Sequence, residues 1–377
     1  MRVQQADWTA QSGWTTRPQD FEIVPDLVLV FYDGAAGGVG DAMKDVRRSF
    51  PESHIVGCST AGNISGTEVL DESLSITAAK FEATPVEVAH TCAQKGSHAA
   101  GAELARALSE REGLAHVFVL SEGIHVNGSE LVAGLVESLP AGVAVTGGLS
   151  ADGDRFVHTS VLRDGAPAED AVCAVGFYGD RLRVGYGSLG GWDAFGPERL
   201  VTRAEGNVLY ELDGRSALQL YKEYLGKHAA GLPATGLLFP LSVRTADQET
   251  AVVRTILAVD EDAESMTFAG DIPSGSYARL MKANFNRLLD GAEGAATTCR
   301  DALPGSDPTL AILISCVGRK LVLKQRVEDE VEAVREVLGD GPALTGFYSY
   351  GEISPFTPGA KCELHNQTMT ITTISEV

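Results

Sequence analysis

The sequence predicts an α/β fold, with α+β as its variant. The chain should form two domains of mixed, partly antiparallel sheets flanked by helices and related by an internal pseudo-repeat. Three observations predict this. Apolar strand-like runs alternate with amphipathic stretches along most of the 377 residues. Residues 55–64 (IVGCSTAGNI) and 344–353 (LTGFYSYGEI) share one skeleton, in which Gly57, Gly62 and Ile64 align with Gly346, Gly351 and Ile353. Each copy follows an apolar run (27–31; 310–315) and a charged amphipathic stretch (41–50; 327–338), and each precedes an alternating run (74–81; 368–374). A repeated strand–helix–strand–turn–strand unit places two glycine corners where they can line one cleft.

The elements follow in order. Residues 1–22 are polar, with Trp8 and Trp14 set among Gln, Ser and Thr, and read as an N-terminal extension without the apolar core of a signal peptide. Residues 27–32 (LVLVFY) suit a strand buried on both faces. A glycine-rich loop fills 33–40, and Asp41 reads as the cap of a helix through 48. Residues 55–57 are extended, and 74–81 and 86–92 read as paired strands. Residues 97–112 are helical, 116–120 a buried strand, and 129–139 a helix stopped by Pro140. Strands at 143–146 and 156–162 flank the turn-rich 147–154. Residues 172–178 and 182–186 read as a hairpin across Gly179-Asp180. The glycine-rich 187–197 marks the domain boundary, giving domains at 23–190 and 198–377. Beyond it come a helix at 215–225, strands at 251–259 and 266–269, and a long helix over 276–300.

Composition narrows the function. A formal net charge of −21 repels phosphate backbones, which argues against a nucleic-acid partner. No run approaches eighteen apolar residues, so no membrane span is expected, and a cytoplasmic location follows. Six cysteines (Cys58, Cys92, Cys173, Cys299, Cys316, Cys362) lack Cys-x-x-Cys spacing, which disfavours structural zinc and a disulfide scaffold. The eight histidines do not cluster at ligand spacing, so no non-haem metal site is expected.

Motif tests mostly fail. Residues 34–40 (GAAGGVG) follow a strand and open a helix, but they lack both the third glycine of a dinucleotide fingerprint and the lysine of a phosphate loop. A flexible turn is the better reading. Residues 57–62 (GCSTAG) resemble a nucleophile elbow with one residue too many. Cysteine chemistry at Cys58 or Cys316 would need His365 as a base held nearby.

The C-terminal third is more specific. Residues 315–319 (SCVGR) end a buried strand with a cationic turn, 347–352 (FYSYGE) set two phenols and a carboxylate around a glycine, and 365–368 (HNQT) open the last strand with four hydrogen-bonding side chains. A few convergent polar groups against an apolar wall suit a small-ligand pocket. Arg319 and Glu352 could equally pair with each other.

These blocks resemble the FIST family, sensory proteins named for F-box and intracellular signal transduction, over essentially the whole chain. Residues 55–62 resemble the hallmark of its N-terminal domain. Residues 201–214 (VTRAEGNVLYELDG), 239–241 (FPL), 315–319, 346–353 and 365–368 resemble its C-terminal blocks. The resemblance implies a sensor for amino-acid-like metabolites. Many members are fused to kinase, cyclase or chemoreceptor output domains. None is present here, so a separate partner, such as a histidine kinase, is expected to carry the output. The size and layout also match stand-alone bacterial members described as haem-binding nitric oxide sensors that regulate histidine kinases. That likeness implies haem, with His158 or His365 as axial ligand.

The expected function is therefore a two-domain, non-enzymatic sensor that binds its ligand between its halves. Asp193, Arg319, Tyr348, Tyr350, Glu352, His365 and Asn366 are the expected ligand contacts, with Cys58, Ser59 and Thr60 on the opposing turn. A ligand carboxylate would meet Arg319 and a ligand amine Glu352. The alternatives are a thiol hydrolase or transferase using Cys58 or Cys316 with His365, and a purely structural interaction protein.

Overall fold

The apolar runs become the central strands of four sheets in the computed structural model, which describes residues 1–245, 251–303, 305, 307–357 and 359–377. The fold is the mixed α/β arrangement expected, with helices flanking mixed sheets.

The first unit opens with β1 (Arg2–Thr9), so residues read as an extension supply a strand. There follow β2 (Leu27–Tyr32), α1 (Val39–Ser49), β3 (His54–Ser59), the short β4 (Asn63–Ser65) and β5 (Ser73–Lys80). Helix α1 buries Val39, Ala42, Met43 and Val46, the spacing of one helical face. Its cap is Gly38 at φ 91°, and Asp41 lies instead in the first turn, where its charge suits the helix dipole.

The second unit contains β6 (Val86–Cys92), α2 (Ser97–Ser109), β7 (Leu114–Ser121), α3 (Gly128–Ser138), β8 (Ala144–Leu149), β9 (Val161–Arg163) and β10 (Ala171–Tyr178). Strand β6 pairs with β10, not with β5 as local alternation suggests. Residues 156–160, read as strand, are loop.

The third unit begins with β11 (Leu182–Leu189), and the chain then leaves for a separate subdomain. It comprises β12 (Trp192–Glu205), β13 (Val208–Leu212), α4 (Ala217–Leu225), β14 (Leu241–Arg244), β15 (Val252–Arg254), β16 (Ile256–Asp260), β17 (Ser265–Phe268) and β18 (Tyr277–Ala283). This insert has its own core around Val201, Leu218, Tyr221 and Phe268. The third unit resumes with α5 (Phe285–Asp301), β19 (Leu310–Cys316), α6 (Val317–Leu323), α7 (Val327–Leu338), β20 (Ala343–Ser349), β21 (Gly351–Pro355), β22 (Cys362–His365) and β23 (Met369–Glu376). The long helix expected over 276–300 is a strand and a helix. Buried Ala278 and Leu280 flank exposed Arg279 with period two, and Asn284 caps α5. The expected β10–β11 hairpin is also absent, because β11 pairs along its length with β23.

All three units share one order, β3-β2-β5-β1, β8-β7-β10-β6 and β20-β19-β23-β11. Each sheet is continued by a strand from another unit: β9 on β3, β21 on β8 and β4 on β20. The ring closes through three matching bonds. Ala61 N–H donates to the Tyr348 carbonyl (2.9 Å), Ala151 to Ser59 (3.0 Å) and Tyr350 to Leu149 (3.3 Å). Gly57, Gly147 and Gly346 occupy one equivalent position, where any side chain would strike the carbonyl of Val30, Val119 or Leu313 on the parallel neighbour. The repeat seen in the sequence is thus the first and third of three copies. The middle copy is hidden by an eleven-residue link, 150–160, between β8 and β9, where the third unit has Tyr350 alone.

Candidate functional site

Arg319 is fully buried and committed. Its Nε and Nη2 donate to Glu330 Oε2 (2.9 and 2.8 Å), Nη1 to the Gly190 carbonyl (2.7 Å) and Nη2 also to the Leu288 carbonyl (2.7 Å). The other Glu330 oxygen accepts the Ser315 hydroxyl (3.0 Å) and the Tyr348 hydroxyl (2.6 Å). The pairing of Arg319 with Glu352 is therefore corrected: Glu330, on α7, takes that role, and the fully buried guanidinium lines none of the clefts described below. Glu352 accepts instead from the Ser349 hydroxyl (2.6 Å) and from the N–H (3.1 Å) and hydroxyl (2.9 Å) of Thr368. Burial pushes its carboxyl up to about 8, which favours the protonated form.

The remaining expected contacts are also occupied. The Tyr350 hydroxyl donates to Asp152 and to the Gly153 carbonyl (3.0 Å). Ser59 Oγ accepts the Ser160 N–H (3.0 Å), and the Thr60 hydroxyl donates to Asn63 (2.7 Å), fixing the first glycine corner. Asp193 accepts from Asn284 (3.0 Å) and Arg287 (2.5 Å) where the insert rejoins the ring. Asn366 accepts the Thr255 N–H (3.2 Å) and donates to the Tyr350 carbonyl (3.1 Å). These side chains stitch the units and the insert together, and none lines the clefts described below.

The cysteine alternative loses its chemistry. Cys58 and Cys316 are fully buried, and burial raises both thiols above their ordinary value, away from a thiolate. His158 and His365 do not fit axial ligation of haem. The His158 side chain is 75% exposed and faces Glu169 at 3.7 Å. His365 is sealed in: its Nε2–H donates to the Ser354 carbonyl (2.7 Å), and the Phe356 ring packs against it at a tilt, centroids 4.0 Å apart. Burial lowers it to about 4. Neither histidine lines any of the clefts described below.

Open space lies elsewhere. One cleft, of about 280 Å³, runs between α3, β22 and strands β14 and β15 of the insert. Ser129, Arg254, Asp271, Lys361 and Glu363 line it, with Val132 and Val243. Arg254 is 6% exposed, and burial lowers its pKa to about 10, so it stays charged. Its Nε donates to the Asp271 carbonyl (3.1 Å) and its Nη1 to the Leu364 carbonyl (2.9 Å). Among the described residues no carboxylate forms an ion pair with it. Asn366 and Gln367 hold the adjacent Thr255, through its N–H (3.2 Å) and its hydroxyl (3.0 Å). Asn127 Nδ2 clasps Asp271 Oδ1 (2.8 Å) across the seam. Sequence reasoning missed Arg254. The available signal was a cation inside the apolar run 251–259 (AVVRTILAV).

A larger cavity, about 640 Å³, lies under the glycine-rich loop at the start of α1 and includes Lys44, Arg47 and Arg48. Lys44 and Arg48 already pair with Asp41 and Asp45.

Comparison with known proteins assigns residues 26–215 to the FIST N domain and 217–355 to the FIST C domain. The chain is 24% identical over 330 residues to an uncharacterized protein of Mycobacterium tuberculosis, covering 84% of this chain and 82% of that one. It is 24% identical over 326 residues to an uncharacterized protein of Methanocaldococcus jannaschii, covering 78% and 59% respectively. Among solved structures, cyanuric acid hydrolase from A. caulinodans aligns over 100% of this chain and 98% of its own, at 9% identity and a TM-score of 0.35, too slight a likeness to carry an argument.

Proposed function

Because this chain belongs to the FIST family, whose domains are associated with sensing small ligands in signalling, we propose that it is a sensory module for a small carboxylate-bearing metabolite. The ligand binds at Arg254, between ring and insert, and is recognised without being transformed. Occupancy changes how the insert sits on the ring, and a separate signalling protein, such as a histidine kinase, reads that change. One observation carries the reading: a buried guanidinium lines a cleft and has no carboxylate partner among the described residues. Glu363 and Asp271 lie near enough to favour its charge, but neither carboxylate is in hydrogen-bonding contact with it, so the buried guanidinium can still offer a ligand carboxylate paired, charge-assisted hydrogen bonds. Asp271 and Glu363 on the same walls favour a ligand that also carries an ammonium group, which makes amino-acid-like metabolites the first class to test.

Thermal-shift and calorimetric titration with amino acids and dicarboxylates test this. A ligand at a hundred times its Kd adds about 2.7 kcal/mol to apparent stability. Arg254→Ala should abolish the shift. Equal binding by wild type and variant would remove Arg254 from the account.

A further inference from the structure

A second cleft, of about 290 Å³, opens beyond the Asn127–Asp271 clasp, between the second unit and the insert. It differs from the first in chemistry. Ile124, Val126, Phe156, Leu257 and Phe268 supply apolar walls, and no Lys, Arg, Asp or Glu is among the described residues lining it.

The wall that carries Phe156 is the link unique to the second unit. Two buried carboxylates brace it from behind. Asp152 accepts the N–H groups of Phe156 (2.9 Å), Val157 (3.0 Å) and His158 (2.9 Å), and also the Tyr350 hydroxyl. Glu122 accepts the N–H groups of Ile124 (2.8 Å) and His125 (2.7 Å) and the Thr159 hydroxyl (2.5 Å). Phe156 itself sits at φ 53°, a conformation that a bulky residue keeps only where its surroundings impose it. Its ring lies on Tyr350 with centroids 4.4 Å apart and planes 11° apart. An added loop, a strained backbone and a parallel aromatic stack therefore all serve to present one phenyl ring to a largely apolar cleft.

We propose that this cleft is a second ligand site, for a planar, uncharged aromatic or heteroaromatic group packed against Phe156. A flat ring entering here extends the existing stack and leaves water for an apolar wall. A charged group would find no Lys, Arg, Asp or Glu among the described lining residues, and the exposed His125 already faces Glu122. Asn207 Nδ2 is held by the Phe268 carbonyl (2.7 Å), which leaves its Oδ1 to accept a ring N–H, so N–H-bearing heteroaromatics bind best. The site does not depend on the carboxylate site at Arg254.

Saturation-transfer NMR on the full chain tests it, with indole as the probe and benzoate as its charged counterpart. Wild type should show a saturable indole signal that excess benzoate does not displace. Phe156→Ala should weaken indole about tenfold, the stacking contribution expressed as affinity. Because that variant could loosen the loop, Ala258→Glu provides the control: position 258 lines the cleft yet is exposed on β16, so a carboxylate placed there should abolish binding with the fold intact. Amino-acid binding at the first cleft, titrated separately on the wild type, distinguishes failure here from failure there. Absence of a saturable signal in wild type, or a signal that survives Ala258→Glu, overturns the proposal.

Discussion

Two arginines in this molecule are withdrawn from water, and they end differently. Arg319 meets Glu330, two backbone carbonyls and a phenol–carboxylate relay within the ring. Arg254 meets carbonyl oxygens and an open cleft. Burial is common to both, and whether a carboxylate is held in hydrogen-bonding contact separates a strut from a receptor. The polar constellation that stands out in the sequence falls mostly on the strut side.

The largest effect should come from breaking the strut. Arg319→Ala would strand the Glu330 carboxylate in the interior, which typically costs about 3–5 kcal/mol. Urea unfolding measures it. An unchanged midpoint would mean that Arg319 is no strut and would dissolve the contrast. Tyr348→Phe removes only the 2.6 Å bond to Glu330, and about 1.5–3 kcal/mol is expected for a hydrogen bond to a charged group.

Glu352 sharpens the same contrast from the acidic side, because it is a buried carboxyl with no cation in hydrogen-bonding contact. Its folded pKa, about 8, lies above the ordinary 4.5, so the native state holds a proton that the unfolded chain releases. Its contribution is complete below about 4.5 and is lost as pH rises to about 8. His365 acts in the opposite direction. Its folded value, about 4, lies below the ordinary 6.5, so its contribution is present above 6.5 and is lost as pH falls toward 4. Glu352→Gln should match wild type at pH 5 and exceed it at pH 9, by a few kcal/mol at most. The amide oxygen can still accept from Thr368 and the NH₂ can donate to Ser349 Oγ. Melting curves that coincide at pH 9 would show that the carboxyl ionises without penalty.

Local pattern made much of this architecture readable. The LVLVFY run, the α1 face and the glycine corners at 57 and 346 each follow from spacing alone. Pairing did not. Strands β4, β9 and β21 join other units' sheets, a choice set by contacts that no local window contains. The same limit governed the site. Arg319 looks available until α7 brings up Glu330 and the chain at Gly190 and Leu288 arrives from far away. Arg254 looks like an interruption in a strand until α3 and β22 leave a gap beside it. Asn366 and Gln367 were legible as special, but their role, gripping Thr255 next to Arg254, depends on where the insert docks.

The smallest stability effect should fall on Arg254, and that is the sharpest form of the comparison. Arg254→Met keeps the stem volume and removes the charge. It frees the carbonyls of Asp271 and Leu364 from their donors, at about 1 kcal/mol each if water reaches them from the cleft. Against that loss, the desolvation cost of the buried cation disappears, less its attraction to nearby Glu363 and Asp271, a gain of similar size. The two nearly cancel, so unfolding free energy should stay within about 1 kcal/mol of wild type while carboxylate binding disappears. A loss as large as that of Arg319→Ala would make Arg254 a second strut, and the cleft beside it would need another explanation.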